Sequence, residues 1–195
     1  MTLKHTCVAT VLTAVLSGPS FAAQTIVLMR HGEKPAEGLG QLNCQGLQRA
    51  LALPKVLIGK FGRPAALYAP NPGVMKDDRG RPYNYVRPLA TIEPTAIALG
   101  MPVNASFGFD DVAGVTAALL RPDYKNATVF VAWEHRVAEE LARALLKAKG
   151  ADASTVPRWD GDDFDSLYVV TIGDDGSARF SLQHEGLNGQ SATCP

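Results

Sequence analysis

The stretch that most limits how this chain can fold is QTIVLMRHGEKP, residues 24–35. Thr25 to Met29 is an unbroken run of apolar or β-branched residues. It is too short for a helix standing alone and suits a strand covered on both faces. The run stops at Arg30-His31-Gly32, where glycine removes the steric limit on the backbone and lets the chain turn. A guanidinium and an imidazole therefore sit at the carboxyl end of a buried strand. Open α/β sheets hold their ligands at that end.

A second junction of the same kind lies further on. Thr128 to Trp133 (TVFVAW) reads as another buried strand and runs straight into Glu134-His135. A helix follows over Val137 to Lys149, with Leu141, Ala144, Leu145 and Ala148 on one face. Between the two junctions, Leu42 to Phe61 has helical spacing, with Asn43 as its N-cap, Gly62 as its stop and Pro54 expected to break it into two pieces. Ala65 to Ala69 is a short strand. Arg87 opens RPLATIEPTAIALG, where Pro88 fits a first helical turn and Ile92, Thr95, Ala96 and Leu99 form an apolar face ending at Gly100. Val103 to Phe109 reads as a connection or edge strand, and Asp110-Asp111 precedes a short helix over Val112 to Leu120. Leu167 to Ile172 and Arg179 to Gln183 pair as a hairpin across Gly173 to Gly176.

These motifs resemble the histidine phosphatase (phosphoglycerate mutase-like) superfamily. Arg30-His31-Gly32 matches its signature at the end of the first strand, and Gly46-Leu47-Gln48-Arg49-Ala50 looks like its first-helix pattern. Arg87, with Thr91 four residues on, matches the second motif, and His135 after a buried strand matches the third. The resemblance covers residues 24–149. It implies a three-layer α/β/α sandwich with a mostly parallel central sheet, and a single domain over residues 23–195. One stretch departs from the pattern. Seventeen residues separate Ala69 from Arg87, which implies an insertion over Asn71 to Val86 beside the site. With two Gly, two Pro and no periodicity it reads as a long loop. It is either a lid lending Arg79 or Arg81 to a second anionic group, or a solvated surface loop.

The chemistry fits the residues. A phosphomonoester is a dianion near neutral pH, and moving its phosphoryl group needs charge on the equatorial oxygens and an in-line nucleophile. Arg30 and Arg87 are permanently charged forks matched to those oxygens. Neutral His31 can attack phosphorus without first losing a proton, and His135 completes the cradle. The family implies the same roles for these four positions, with Glu33, Lys34 and Glu134 beside them as substrate-binding candidates. For the proton donor to the leaving alkoxide, Asp110 and Asp111 lie 23 and 24 positions beyond Arg87 and are the first candidates. Helix capping is their alternative use, and Glu33 and Glu134 are the rivals. No metal or organic cofactor is expected. The rival activities are mutase-type phosphotransfer and a phosphoprotein or phosphohistidine phosphatase. A non-catalytic phosphate-binding module is the rival from another class.

Composition narrows the partners. The chain has 19 basic and 19 acidic residues, which gives no electrostatic case for nucleic acid or a membrane surface. A phosphorylated small molecule or other phosphorylated substrate is the partner the motifs imply. Residues 1–22 differ from the rest: Lys4, then an apolar run from Cys7 to Leu16, then a break at Ser17-Gly18-Pro19 and small residues before Ala23. This reads as a cleaved secretory signal, too short to span a bilayer, and it predicts a periplasmic or secreted protein that leaves the membrane on cleavage. Such a mature chain keeps two cysteines, Cys44 and Cys194, and an even count in an oxidising compartment predicts a disulfide between them.

Overall fold

The computed structural model describes residues 23–195; the segment read as a signal, with Cys7, lies outside them. In chain order the elements are β1 (Gln24–Arg30), α1 (Cys44–Phe61), β2 (Ala66–Tyr68), β3 (Met75–Asp77), β4 (Pro82–Asn84), α2 (Arg87–Leu99) and β5 (Val103–Asn104). They continue with α3 (Val112–Leu119), β6 (Thr128–Trp133), α4 (His135–Ala148), β7 (Ser166–Ile172) and β8 (Ala178–His184). Six strands make one sheet in the order β5-β2-β6-β1-β7-β8, and β3 and β4 form a separate hairpin. The pairs β1–β6, β2–β6 and β2–β5 are parallel, whereas β7 runs antiparallel to β1 and β8 antiparallel to β7.

The period-two geometry of β1 sends alternate side chains to opposite faces. Ile26 and Leu28 pack with Val115 and Leu119 of α3 and Leu141 and Leu145 of α4. Val27 and Met29 pack with Leu53 and Leu57 of α1 and Ile92 and Ala96 of α2. Two apolar layers thus clamp the sheet, giving the three-layer sandwich. Each fully buried aliphatic side chain contributes roughly 1.5–3 kcal/mol of transfer free energy. Two buried strands, β1 and β6, lie side by side at the centre with their carboxyl ends level.

Two expectations are corrected. Pro54 does not split its helix: α1 is one element of 18 residues, capped by the Asn43 side chain, which accepts from the Gly46 amide. The ring removes the hydrogen bond to Ala50, at about 3 kcal/mol. Buried Ala50, Leu53 and Leu57 lie on both sides of the proline and hold the helix axis through it. The insertion is not structureless. Met75 pairs with Asn84, Lys76 with Tyr83 and Asp77 with Pro82. Strands of three residues, one containing proline, are too short to show a period. The hairpin is anchored where the Gly40 carbonyl accepts from the amides of Val86 and Arg87. Arg79 and Arg81 are exposed at its turn.

The C-terminal tail returns to α1. Cys194 forms a disulfide with Cys44, the first residue of that helix, and the Gln48 side-chain amide donates to the Thr193 carbonyl. Among the described residues no helix is long and apolar enough to cross a membrane.

Candidate active site

Register brings the first and third motifs together. Arg30 of β1 stands opposite Trp133 of β6, and the His31 amide donates to the Trp133 carbonyl at 2.9 Å. The residues that follow each strand, His31 on one side and Glu134-His135 on the other, therefore leave the sheet next to each other. The second motif is tied in through Thr91. Its hydroxyl donates to the Arg87 carbonyl one turn back in α2 and accepts from the Gly32 amide, each at 2.9 Å. The four-residue spacing of Arg87 and Thr91 is thus what docks the start of α2 onto the turn after β1. Gly32 is required there: a Cβ would lie 2.8 Å from the Gly46 carbonyl oxygen at the start of α1.

His31 is 2% exposed. Its Nδ1 lies 2.7 Å from the Gly32 carbonyl oxygen, and a carbonyl only accepts, so Nδ1 carries the hydrogen. In the neutral ring the lone pair is then on Nε2. Burial, then the positive field of Arg87, and then that of Arg30 pull the His31 pKa down to about 3, so the ring is neutral across the physiological range.

Both signature arginines are buried, and both are held by one end. Nη1 of Arg30 donates to the carbonyls of Gly161 (2.6 Å) and Asp163 (3.0 Å), and its guanidinium lies 3.7 Å from the centroid of Phe164. Nη1 of Arg87 donates to the Gly38 carbonyl at 3.1 Å and to the Asp78 carboxylate. In each case Nε is buried and has no hydrogen-bond partner among the described residues. Two guanidinium edges beside a neutral imidazole are suited to the oxygens of a tetrahedral anion.

Glu134 caps α4 by accepting from the amides of Arg136 and Val137 at 2.9 and 3.1 Å. Its other oxygen lies 2.8 Å from His135 Nδ1, a close contact without the alignment of a hydrogen bond. Burial opposes charge on Glu134, yet His135, the Val137 amide and Lys76 hold its carboxyl down at about 2. His135 thus joins the cluster through Glu134, in the first turn of a helix that starts two residues earlier than its apolar periodicity suggests. A cavity of about 310 Å³, lined by His135, Arg158, Trp159 and Gly161 among others, opens beside it.

The other candidates are held by other partners or exposed. Glu33 turns away from His31 and accepts from Arg49 through both its oxygens. Lys34 pairs with Asp78 at 3.2 Å. Asp111 caps α3, accepting from the Gly114 amide at 2.8 Å, and Asp110 is exposed. The acidic loop over residues 160–165 holds Arg30 with backbone carbonyls rather than carboxylates. Among the described residues no group of three or more His, Cys, Asp or Glu side chains is placed to hold a metal ion.

No family model matches this sequence, and no curated protein matches it. Solved structures do. The protein histidine phosphatase SixA complexed with tungstate superposes with a TM-score of 0.57 at 18% identity, over 83% of this chain and 97% of that one. A SixA described as a phosphohistidine phosphatase from Nakamurella multipartitia gives a TM-score of 0.55 at 19% identity, covering 83% and 96%. The mycobacterial glucosyl-3-phosphoglycerate phosphatase gives 0.55 at 15% identity, covering 83% and 97%. The fold is that of the histidine phosphatases. On the histidine phosphatase fold, the cluster of Arg30, His31, Arg87, Glu134 and His135 occupies the carboxyl ends of two central parallel strands, the crevice expected of an open α/β sheet. Two groups in that crevice escaped the sequence reading. Asp78 and Tyr85 both belong to the stretch set aside as an insertion, and the sole hint was that Tyr85 stands two residues before Arg87.

Proposed function

We propose that this chain is a phosphatase of the histidine type, hydrolysing phosphomonoesters through a phosphohistidine on His31 without a metal. The observation that carries the reading is the state of His31: buried, neutral, with Nδ1 engaged by Gly32 and Nε2 free, between two arginines whose Nε groups have no partner among the described residues.

In this reading the Nε2 lone pair attacks phosphorus in line with the ester oxygen. The P–O bond breaks as the N–P bond forms. Arg30 and Arg87 offset charge on the equatorial oxygens, with His135 oriented by Glu134 as a further donor. The leaving oxygen takes a proton. Glu134 is engaged by its helix and His135, Glu33 by Arg49 and Asp111 by its helix, which leaves Asp110 as the candidate for that role. Water then cleaves the N–P bond, releasing phosphate and restoring the imidazole.

The chain is also proposed to be exported, residues 1–22 serving as a cleaved signal. A disulfide between Cys44 and Cys194 suits an oxidising compartment. N-terminal sequencing of the exported protein tests this, with Ala23 as the expected first residue and Met1 as the contrary result.

The activity test is hydrolysis of a chromogenic phosphate ester with and without EDTA, by the native protein and His31→Ala. Activity that persists in EDTA and vanishes in the variant supports the enzyme. Phosphate binding without turnover of any ester would instead favour a binding module. Two of the neighbours described above are named as histidine or phosphohistidine phosphatases, so a phosphohistidine peptide belongs in the substrate panel.

A further inference from the structure

Tyr85 has a place in the candidate site that packing does not explain. It is 1% exposed. Its ring meets His31 edge-on, with centroids 6.1 Å apart and planes at 90°, and packs against Phe109 at 5.9 Å. The Arg87 guanidinium lies 5.0 Å from the ring centroid on one side, and Lys76 reaches to 5.6 Å. A phenylalanine would make all of these contacts.

What tyrosine adds is a hydroxyl, and that hydroxyl is buried with no aligned hydrogen-bond partner among the described residues. Buried polar groups are nearly always paired, because leaving one unpaired is destabilising. The charges near enough to act on the hydroxyl are Arg87, Glu134 and Arg30, which are the groups around His31. Arg87 also comes within side-chain hydrogen-bonding reach of the phenol oxygen. Because a guanidinium only donates, the phenol's own hydrogen still has no acceptor among the described residues. Burial outweighs the two arginines and keeps the phenol protonated, so it is a donor. Nε of Arg30 and Nε of Arg87, the two guanidinium groups whose charge acts on His31, are in the same situation. Three side chains next to one imidazole thus each carry a buried donor without an aligned partner.

We infer that the Tyr85 hydroxyl is a third ligand of the phosphoryl group, donating a hydrogen bond to one of its oxygens alongside the two arginines. The inference rests on the phosphatase reading for the identity of the anion. Its physical content is narrower: the hydroxyl is kept for an anion bound against His31. No bond to the phenol is made or broken, and its proton stays on oxygen throughout. Because the hydrogen bond is to a charged oxygen in a site shielded from water, its loss weakens binding of the anion roughly tenfold to a hundredfold.

The experiment compares the full chain with Tyr85→Phe, using orthovanadate as the probe. Inhibition of ester hydrolysis and direct vanadate titration are read beside thermal unfolding without vanadate. The expected result is a variant about as stable as the native protein, since the hydrogen of the hydroxyl has no acceptor among the described residues of the free site. Vanadate binding weakens on the order of tenfold or more, and kcat/KM falls by a similar factor. Native affinity and turnover in Tyr85→Phe overturn the inference while leaving the phosphatase reading intact. A variant that unfolds more easily also overturns it, because the hydroxyl then has a structural partner. A native protein that binds vanadate but hydrolyses nothing, with binding weakened in the variant, upholds the role of Tyr85 and removes the catalytic reading. A native protein that binds no vanadate removes both.

Discussion

Asp78, at the turn of the β3–β4 hairpin, is the carboxylate that holds Arg87 in place. It accepts from Nη1 of Arg87 and from Lys34, and 8% of it is exposed. Burial works against its charge, but the bond from Arg87 and then that from Lys34 keep its carboxyl below the usual range. The inserted segment therefore acts on the site from behind. It occupies one end of a guanidinium and leaves the Nε edge of that side chain for another group.

Removing that brace should have two effects. Asp78→Ala leaves a buried guanidinium without its partner, which costs about 3 kcal/mol by analogy with other broken buried pairs. KM for a phosphate ester should also rise several-fold as Arg87 loses its orientation. Urea unfolding and steady-state kinetics measure the two. Lost stability with an unchanged KM would show that Arg87 does not depend on Asp78 for its aim.

The acid side of the pH profile follows from His31. Its pKa falls from 6.5 to about 3 on folding. Between those values the unfolded chain binds a proton that the folded chain does not, so stability falls as pH drops through that window. The nucleophile nevertheless stays neutral in the folded protein. Protonation of His31 should therefore contribute no loss of kcat/KM near pH 6.5, and its own acid limb should appear only near pH 3. His31→Gln, which cannot titrate, should lose stability less steeply between pH 6.5 and 3. An equal slope in the native protein and His31→Gln, or an acid limb of native kcat/KM near pH 6.5 with no other titrating group to account for it, would contradict this.

Glu185 titrates in the opposite sense. It is buried beside Arg49, which also binds Glu33 and approaches Asp165. Burial pushes its carboxyl from 4.5 up to about 8 against the pull of Arg49, with Asp165 and Glu33 adding to the rise. The folded chain then keeps a proton that the unfolded chain gives up. This contribution to stability is complete below about pH 4.5 and is lost as pH climbs to 8. Glu185→Gln should flatten the decline between those values in thermal unfolding. An identical slope in native protein and variant would place the proton elsewhere.

Reduction tests the tail. The Cys44–Cys194 bridge spans a sequence separation of 150, for which loop closure sets an upper figure of about 5 kcal/mol. Urea midpoints with and without reductant should differ. Two cysteines should label with iodoacetamide only after reduction. Labelling of both without reductant would mean that the bridge does not form.

The parts of the fold legible in the sequence are those fixed by local runs. β1 and β6 are buried on both faces, so their apolar stretches stand out. Thr91 follows Arg87 by one helical turn because its hydroxyl must reach the Arg87 carbonyl, and that spacing can be read. Asp78 and Tyr85 could not be read in this way. They come from a turn and the residue after a short strand, whose conformation depends on a contact with Gly40, distant in the chain, and on the pairing of Asp78 with Arg87. Glu33 misled for a related reason. It flanks His31 in sequence, but its carboxylate turns to Arg49. The hold on Arg30 comes from the carbonyls of Gly161 and Asp163, and backbone groups leave no mark on residue identity.

The central claim is that His31 itself carries the phosphoryl group. Rapid acid-free quenching of the protein with a phosphate ester, followed by peptide mass spectrometry, tests it directly. The account predicts one phosphate on the peptide containing His31, stable to base, labile to acid and absent from His31→Ala. Steady hydrolysis with no phosphorylated peptide, or a phosphate on any other residue, would contradict it.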